Sequence, residues 1–134
     1  MKIVLAGGTG YLGKLLQEFF KGKNEVIVLS RSKSKTEHGI TFVQWDGESE
    51  DVSWVSKILN ADVIINLSGR TVDCRYNERN KKQIFDSRTQ TTELIGKVLS
   101  EYPNDVRLWI NSASATIYKH SEDQDMTDDS DKLG

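Results

Sequence analysis

The sequence has one cysteine, one proline, two histidines and no long apolar run in its 134 residues. The single cysteine, Cys74, excludes an internal disulfide and suits a reducing compartment such as the cytoplasm. We expect its thiol to be buried or half-buried and inert. No run approaches the roughly 20 apolar residues that span a bilayer, and the N-terminal run lacks the cleavage site of a signal peptide. His38 and His120 lie in polar segments without a metal-ligand spacing, so no metal site is predicted.

Concentrated basic charge is also lacking. Residues 120–134 carry six acidic residues and one lysine, so the other 119 residues hold 17 basic and 14 acidic residues. This small excess is too weak for a nucleic-acid-binding face, although it is compatible with a small anionic ligand. The length allows one domain with a real core and hardly two. We therefore expect a single domain over residues 1–118 and an acidic, poorly ordered tail over residues 119–134.

Strand and helix patterns alternate along the chain. Short apolar runs predict five strands, and apolar residues at helical spacing predict three helices between them. Strands separated by helices form a parallel sheet with right-handed crossovers. We expect the strand order 3-2-1-4-5, with a ligand crevice at the carboxyl ends of strands 1 and 4. The predicted strands are Lys2–Ala6, Glu25–Ser30, Ile40–Trp45, Ala61–Leu67 and Val106–Asn111, and the predicted helices are Tyr11–Lys21, Asp51–Leu59 and Asn77–Ser100.

Three finer expectations concern packing and loops. The first helix is expected to place Leu12, Leu15, Leu16 and Phe19 on its buried face. The polar stretch over residues 31–39 has no period and predicts a loop or a frayed helix. The three tryptophans are expected to pack in the core.

The glycine-rich segment after the first strand is the most informative motif. Gly8-Thr9-Gly10-Tyr11-Leu12-Gly13 fits the pattern G-x-G-x-x-G, and Gly7, Gly10 and Gly13 fit G-x-x-G-x-x-G. Glycines there allow a sharp turn, bring backbone N–H groups to a pyrophosphate, and let the helix pack closely on its strand. The positive end of the helix then faces the anion. Because the motif lies between a strand and a helix, it predicts a dinucleotide site over residues 7–13.

The end of the second strand predicts which dinucleotide is bound. A site for NAD usually has an acidic residue there, about 20 residues after the glycines. This chain has Ser30, Arg31 and Ser32 instead, and no acidic residue between Glu25 and Glu37. A guanidinium and hydroxyls would donate hydrogen bonds to a 2′-phosphate, which a carboxylate would repel. The segment therefore favours NADP over NAD, although a solvated basic loop is the alternative.

Two further loops are candidates for contact with the cofactor. Asp46, just after the third strand, either accepts a bond from the adenine amino group or caps the next turn. Leu67, Ser68 and Gly69, at the end of the fourth strand, would bring backbone beside the adenosine. Arg70 follows them directly. It either reaches a substrate phosphate or lies in a solvated loop, and the same alternatives hold for Arg75.

Taken together, these segments resemble the short-chain dehydrogenase/reductase superfamily, in its extended or atypical epimerase/dehydratase branch. More narrowly, residues 65–70, 87–94 and 112–118 resemble nucleoside-diphosphate-sugar epimerase-like proteins. The resemblance covers essentially the whole chain. It implies an α/β fold with a Rossmann-type doubly wound parallel sheet, and a sugar nucleotide or other small carbonyl or hydroxyl compound as substrate. From the charge and the apolar runs described above, neither nucleic acid nor a membrane is expected as partner.

The resemblance also implies a catalytic apparatus, of which this sequence holds a part. Ser114 matches the serine that hydrogen-bonds the substrate carbonyl or hydroxyl, and Thr116 is a second candidate for that contact. The Tyr-x-x-x-Lys motif that supplies the family's proton-transferring tyrosine does not occur in the sequence. We therefore expect the N-terminal, cofactor-binding part of such an enzyme, inactive alone. A non-catalytic NADP sensor or partner-binding module is the alternative, and an exposed fifth strand makes a homodimer an option.

Overall fold

The computed structural model describes residues 1–113, 122 and 127. The predicted boundary between domain and tail, at residues 118 and 119, lies outside these residues. The described part alternates strands and helices in the expected manner. Its elements are β1 (Lys2–Ala6), α1 (Tyr11–Phe20), β2 (Glu25–Ser30), β3 (Lys35–Glu37), β4 (Ile40–Gln44), α2 (Val52–Leu59), β5 (Val63–Asn66), α3 (Glu78–Glu101) and β6 (Leu108–Asn111).

The strands form one sheet in the order β3-β4-β2-β1-β5-β6. β1 lies at its centre and pairs in parallel with β2 and β5. β2 and β4 are parallel, as are β5 and β6. The five predicted strands therefore occupy their predicted order, and the α/β fold class is confirmed. The carboxyl ends of β1, β2, β4, β5 and β6 meet along one edge of the sheet, where ligands bind in folds of this kind.

β3 is a sixth strand that the sequence analysis did not predict. The prediction of a loop or frayed helix over residues 31–39 is wrong for Lys35–Glu37, which pairs antiparallel with β4. His38 and Gly39 connect the two strands, with φ angles of 50° and 77°, as in tight two-residue hairpins. All three residues of β3 are exposed. An edge strand with both faces in water needs no apolar alternation, and the sequence therefore gave no periodic signal.

Helices cover the two faces of the sheet unequally. α2 and α3 pack on one face through Trp54, Ile58, Ile95 and Val98, and α1 packs on the other through Leu16 and Phe20. Because both faces are covered, β1 and β2 are apolar almost throughout. The packing role expected of the tryptophans is confirmed, since Trp45 and Trp54 are buried with ring centroids 5.7 Å apart, and Trp109 packs against the same cluster.

The predicted buried face of α1 is wrong in three of its four residues. Leu12, Leu15 and Phe19 are 50%, 50% and 78% exposed, and only Leu16 packs on the core. The helix instead buries Gly13 and Gln17, four residues apart. Gly13 lies so close to the preceding turn that its backbone contact fixes the rotation of the helix. The apolar side chains on the other side are therefore turned outward.

Candidate functional site

Three glycines of the turn between β1 and α1 are required by the protein's own packing. Gly7 has φ of +71°, and a Cβ there would lie 2.8 Å from Ser68 Cα. A Cβ on Gly8 would lie 2.9 Å from Leu5 Cβ, and one on Gly13 only 2.1 Å from the Gly8 carbonyl oxygen. Separations under 3 Å are too short for any real Cβ. These positions therefore give the turn its tight shape and bring α1 onto it.

Gly10 is different, because nothing lies within 4 Å of a Cβ built on it. It is the N-cap of α1, with extended backbone, no side-chain cap and no acidic residue in the first turn. The neighbouring Thr9, Tyr11 and Leu12 are exposed. The protein's own packing therefore does not require glycine at position 10. It leaves open space over the uncapped N–H groups of a helix N-terminus, where an anion is favoured.

Gln17 stabilises the turn and was missed by the sequence analysis. Its side chain is buried, and its Nε2 donates to the Gly8 carbonyl at 2.6 Å. This bond ties the turn to α1, and the carbonyl of Gly8 therefore faces the buried side of that helix. A polar residue on an amphipathic helix normally indicates a surface position. The available signal was its spacing of four residues from Gly13, which places both on one helix face.

The end of β2 carries an unsatisfied buried hydroxyl. Ser30 is only 6% exposed, and its Oγ has no hydrogen-bond partner among the described residues. Its carbonyl accepts from the Trp45 N–H at 2.7 Å, which fixes the backbone at this point. Arg31 and Ser32 follow and are exposed. Buried hydroxyls are normally paired, so a ligand group at the end of β2 would satisfy Ser30.

The loop after β5 lies against the glycine turn. The Leu67 N–H donates to the Ala6 carbonyl at 2.8 Å, and the Ser68 N–H donates to Asn66 Oδ1 at 3.1 Å. The Ser68 hydroxyl is buried beside Gly7 without a partner among the described residues. Gly69 follows and is exposed. Leu67, Ser68 and Gly69 therefore form one side of the expected crevice, directly beside the turn.

Asp46 caps the turn that follows β4, which is one of its two predicted roles. Its Oδ1 accepts from the Glu48 and Ser49 N–H groups, both at 2.9 Å. These backbone hydrogen bonds, with the bond from Ser49 the stronger cause, lower the pKa of the Asp46 carboxyl below its ordinary value. The side chain is exposed at the carboxyl edge of the sheet, on the same edge as the ends of β1 and β2.

The predicted catalytic residues, Ser114 and Thr116, lie outside the described residues. The segment that leads to them begins beside the crevice, because the Ser112 N–H donates to the Asn66 carbonyl at 2.9 Å. Asn66 Nδ2 also donates to Asn111 Oδ1 at 2.7 Å, which joins the ends of β5 and β6.

The remaining predicted residues lie at or near the surface. Cys74 is a half-buried free thiol, as expected, Arg75 and His38 are exposed, and Arg70 is half-buried. His120 lies outside the described residues. Within the described part, no group of His, Cys, Asp and Glu side chains is arranged to hold a metal ion. No helix there is long and apolar enough to cross a membrane.

Comparisons with known proteins agree with this geometry. The family model of the NAD dependent epimerase/dehydratase family matches residues 3–133. The Epimerase family protein YfhF of Bacillus subtilis is 31% identical over 132 residues, which are 97% of this chain and 43% of that protein. The Epimerase family protein SDR39U1 of Homo sapiens is 26% identical over 134 residues, which are 97% of this chain and 42% of that protein. The chain thus spans about two fifths of the length of these relatives.

Solved structures show the same fold. The crystal structure of human SDR39U1 with NADPH superposes with a TM-score of 0.76 at 27% identity, over 97% of this chain and 42% of that one. A UDP-N-acetylglucosamine 4-epimerase from Methanobrevibacter ruminantium has a TM-score of 0.76 at 17% identity, over 98% of this chain and 44% of that one. That likeness concerns the fold alone. The family match over residues 3–133, together with the glycine turn and the sheet topology, shows that the chain belongs to the NAD dependent epimerase/dehydratase family.

Proposed function

We propose that this chain is the NADP-binding domain of an epimerase/dehydratase-like oxidoreductase, acting on a sugar nucleotide or another small carbonyl or hydroxyl compound. The observation that carries the proposal is the contrast within the glycine turn. Gly7, Gly8 and Gly13 lack side chains because the protein leaves no room for them, whereas Gly10 faces open space. An unsubstituted backbone at an open, uncapped helix N-terminus fits the approach of a pyrophosphate.

The proposed preference for NADP depends on the end of β2. The buried Ser30 hydroxyl, which has no partner among the described residues, supplies a donor, and Arg31 and Ser32 add a guanidinium and a second hydroxyl. Such groups bind a 2′-phosphate through charge-assisted hydrogen bonds. Human SDR39U1, 27% identical to this chain, was crystallised with NADPH, whereas a UDP-glucuronic acid 4-epimerase with the same fold was crystallised with NAD. The residues of this chain favour the first of these cofactors.

The adenosine would lie between the loops after β4 and β5. Asp46 is exposed at that edge, and its lowered pKa keeps the carboxylate ionised at neutral pH. It would accept a hydrogen bond from the adenine amino group. The backbone of Leu67 and Ser68 lies against the glycine turn. The buried Ser68 hydroxyl has no hydrogen-bond partner among the described residues and would bond to a ligand there. Gly69 follows Ser68 and is exposed. Each of these roles follows from position at the carboxyl edge of the sheet.

The chemistry proposed for the site is hydride transfer, which bound NADP(H) supplies. Ser114 would orient the substrate carbonyl or hydroxyl, and Thr116 would add a second polar contact. Ser112, bound to the Asn66 carbonyl, starts this segment at the crevice, which supports the placement. The substrate class is proposed from the resemblance to the family, and an activity assay tests it.

A second candidate function is a non-catalytic NADP sensor or partner-binding module. It is favoured by one observation, the absence of a Tyr-x-x-x-Lys motif from the sequence. Without such a general acid and base, hydride transfer to a carbonyl lacks its proton donor. Because the chain alone is expected to be inactive, the assay uses a longer protein in which this domain is followed by a part that carries Tyr-x-x-x-Lys. Loss of NADPH absorbance with a keto-sugar nucleotide would support the oxidoreductase, whereas binding without any oxidation by that protein would support the sensor.

We also propose a cytoplasmic location, which the half-buried free thiol of Cys74 suits.

Self-association is proposed through β6, the strand at the sheet edge of the described part. Leu108 and Ile110 are 50% and 45% exposed there, and an uncovered edge strand pairs readily with another chain.

The preference for NADP is tested by calorimetric titration with NADPH and NADH. We expect NADPH to bind at least about tenfold more tightly, as two charge-assisted hydrogen bonds would give. Arg31→Met should remove most of that difference and leave NADH binding unchanged. Lys33→Met is the matched control, because Lys33 is an exposed cation of the same segment. Equal affinities for the two dinucleotides, or equal effects of both variants, would contradict the proposal and support a solvated basic loop.

A further inference from the structure

The backbone of Arg70 is fixed to α3 through both of its polar groups. Its N–H donates to Ser87 Oγ at 2.9 Å, and its carbonyl accepts from Arg88 Nη1 at 3.2 Å. Ser87 Oγ and Arg88 Nη1 also donate to the Ile84 carbonyl, at 2.9 and 3.2 Å respectively. These bonds determine where the chain leaves the crevice after Gly69. Arg70 therefore begins from a defined position, although it lies in an irregular segment.

The Arg88 guanidinium lies against Gly69. A Cβ built on Gly69 would lie 3.0 Å from Arg88 Cζ and 3.3 Å from both Nε and Nη2. Gly69 is not among the residues with positive φ, so its backbone conformation does not require glycine. The missing side chain instead makes room for the guanidinium. The packing thus brings a cation to the same side of the crevice as Ser68.

The charges of Arg70 and Arg88 are not balanced by the part of the chain that the structure describes. None of the ion pairs found there involves either residue. On α3, Glu78 pairs with Lys81 and Asp86 pairs with Lys82. Nε and Nη2 of Arg88 have no hydrogen-bond partner among the described residues. Arg88 reaches the Arg70 backbone carbonyl, so two cationic residues without a counter-charge in the described part start from one place, which favours an anion there.

We infer that Arg70 and Arg88 form a binding site for an oxyanion, a carboxylate or phosphate group that the substrate carries. A guanidinium presents its N–H groups in a planar fork that matches both kinds of group. Nη1 of Arg88 is engaged with two carbonyls, so Nε and Nη2 are the donors left for the anion. The site lies beyond β5, whereas Ser30–Ser32 follows β2 on the other side of β1. It is therefore separate from the proposed 2′-phosphate site.

This inference rests on the proposed function only where it assigns the anion to the substrate. The oxyanion site itself is tested by nuclear magnetic resonance on the full chain, with inorganic phosphate and acetate as probes at constant ionic strength. We expect saturable shifts of the Gly69 amide and the Arg88 Nε–H signal, with and without NADPH. The probe that gives the larger response at equal concentration identifies the preferred group.

Variants separate a built site from general attraction of anions. Arg70→Met and Arg88→Met should each weaken anion binding about tenfold, the effect of losing one charge-assisted contact. Arg70→Met removes a half-buried side chain that forms no hydrogen bond or ion pair among the described residues and keeps its aliphatic part, so the fold should be little affected. Gly69→Ala keeps both charges but displaces the guanidinium, and it should also weaken binding. Arg107→Met is the control, since Arg107 is an exposed cation at the opposite, amino-end edge of the sheet.

Two results would overturn the inference. One is the absence of any saturable shift at Gly69 and Arg88 with either probe. The other is equal weakening by Arg107→Met and Arg88→Met, which would reveal only nonspecific attraction. Failure of the proposed function has a different signature, because it would abolish NADPH-induced shifts at the Gly10 amide while leaving the phosphate or acetate response at Gly69 intact.

Discussion

Substitution of alanine at two glycines of the turn should separate folding from ligand binding. At Gly13 the new Cβ would lie 2.1 Å from the Gly8 carbonyl oxygen and 2.4 Å from its carbon. These are backbone atoms, so α1 must move away from the turn, and the Gln17 bond to the same carbonyl would be strained. Overpacking of this kind costs about 1–3 kcal/mol. A loss of about 3 kcal/mol corresponds to a fall in melting temperature of roughly 10 °C.

At Gly10 the same substitution should leave the fold nearly unchanged. The Cβ meets nothing within 4 Å, and the backbone is extended, with φ of −75° and ψ of −176°. Replacing glycine by alanine at an N-cap costs less than about 1 kcal/mol. A methyl group there would occupy the space proposed for the pyrophosphate. We therefore expect NADPH affinity to fall at least about tenfold, or 1.4 kcal/mol.

Thermal melting and calorimetric titration with NADPH, both applied to Gly10→Ala and Gly13→Ala, measure the two effects. Gly22→Ala is the matched control, because a Cβ on Gly22 also meets nothing within 4 Å and this residue lies after the far end of α1. It should change neither quantity. The reasoning is refuted if Gly10→Ala binds NADPH as tightly as the unmodified chain. It is equally refuted if Gly13→Ala melts at the unmodified temperature.

Three further outcomes follow from individual contacts. Gln17→Leu leaves the Gly8 carbonyl buried without a donor and should destabilise the fold by about 1–3 kcal/mol, measured by urea unfolding. Asp46→Asn should lose stability relative to the unmodified chain at neutral pH. Because the folded-state pKa of Asp46 is lowered, its contribution is present above the unfolded-state pKa of about 4 and disappears as the pH falls through the folded-state value. The two unfolding free energies should therefore converge in acid, and a constant difference would contradict this. If β6 mediates self-association, Ile110→Lys should convert dimers to monomers in light scattering, whereas Lys57→Ala on α2 should not.

The central strands and the glycine turn could be predicted because burial on both faces imposes an apolar run, and a tight turn imposes glycine. β3 could not, since Lys35–Glu37 is exposed and held by backbone pairing with β4. The rotation of α1 was also inaccessible, because it depends on contact between the Gly13 and Gly8 backbones rather than on the apolar pattern. Leu12, Leu15 and Phe19 suggest one face, but the sheet contacts another.

The loop residues of the candidate site were predicted from the sequence, but the side chains that hold these loops in place were not. Motif spacing identified residues 7–13, Ser30 and Ser68, all of which the fold brings to the carboxyl edge of the sheet. Gln17 and Arg88 act through contacts with backbone outside their own helices, to Gly8 and Arg70, which are 9 and 18 residues away. Such contacts are determined by the packing of the helices, and the sequence indicates them at most weakly, as by the spacing of Gln17 from Gly13. The pairing of Asn66 with Asn111, 45 residues apart, is hidden in the same way.

The most direct test of the central claim is a titration of the isotopically labelled chain with NADPH, followed through its backbone amide signals. Saturable shifts should be largest at Gly8, Gly10 and Gly13, with further shifts at Ser30 and Ser68. Amides of the cleft between β4 and α2, which includes Thr41 and Ser53, should not respond. Absence of saturable shifts over residues 7–13, or larger shifts in that cleft, would contradict the claim that the glycine turn holds a dinucleotide.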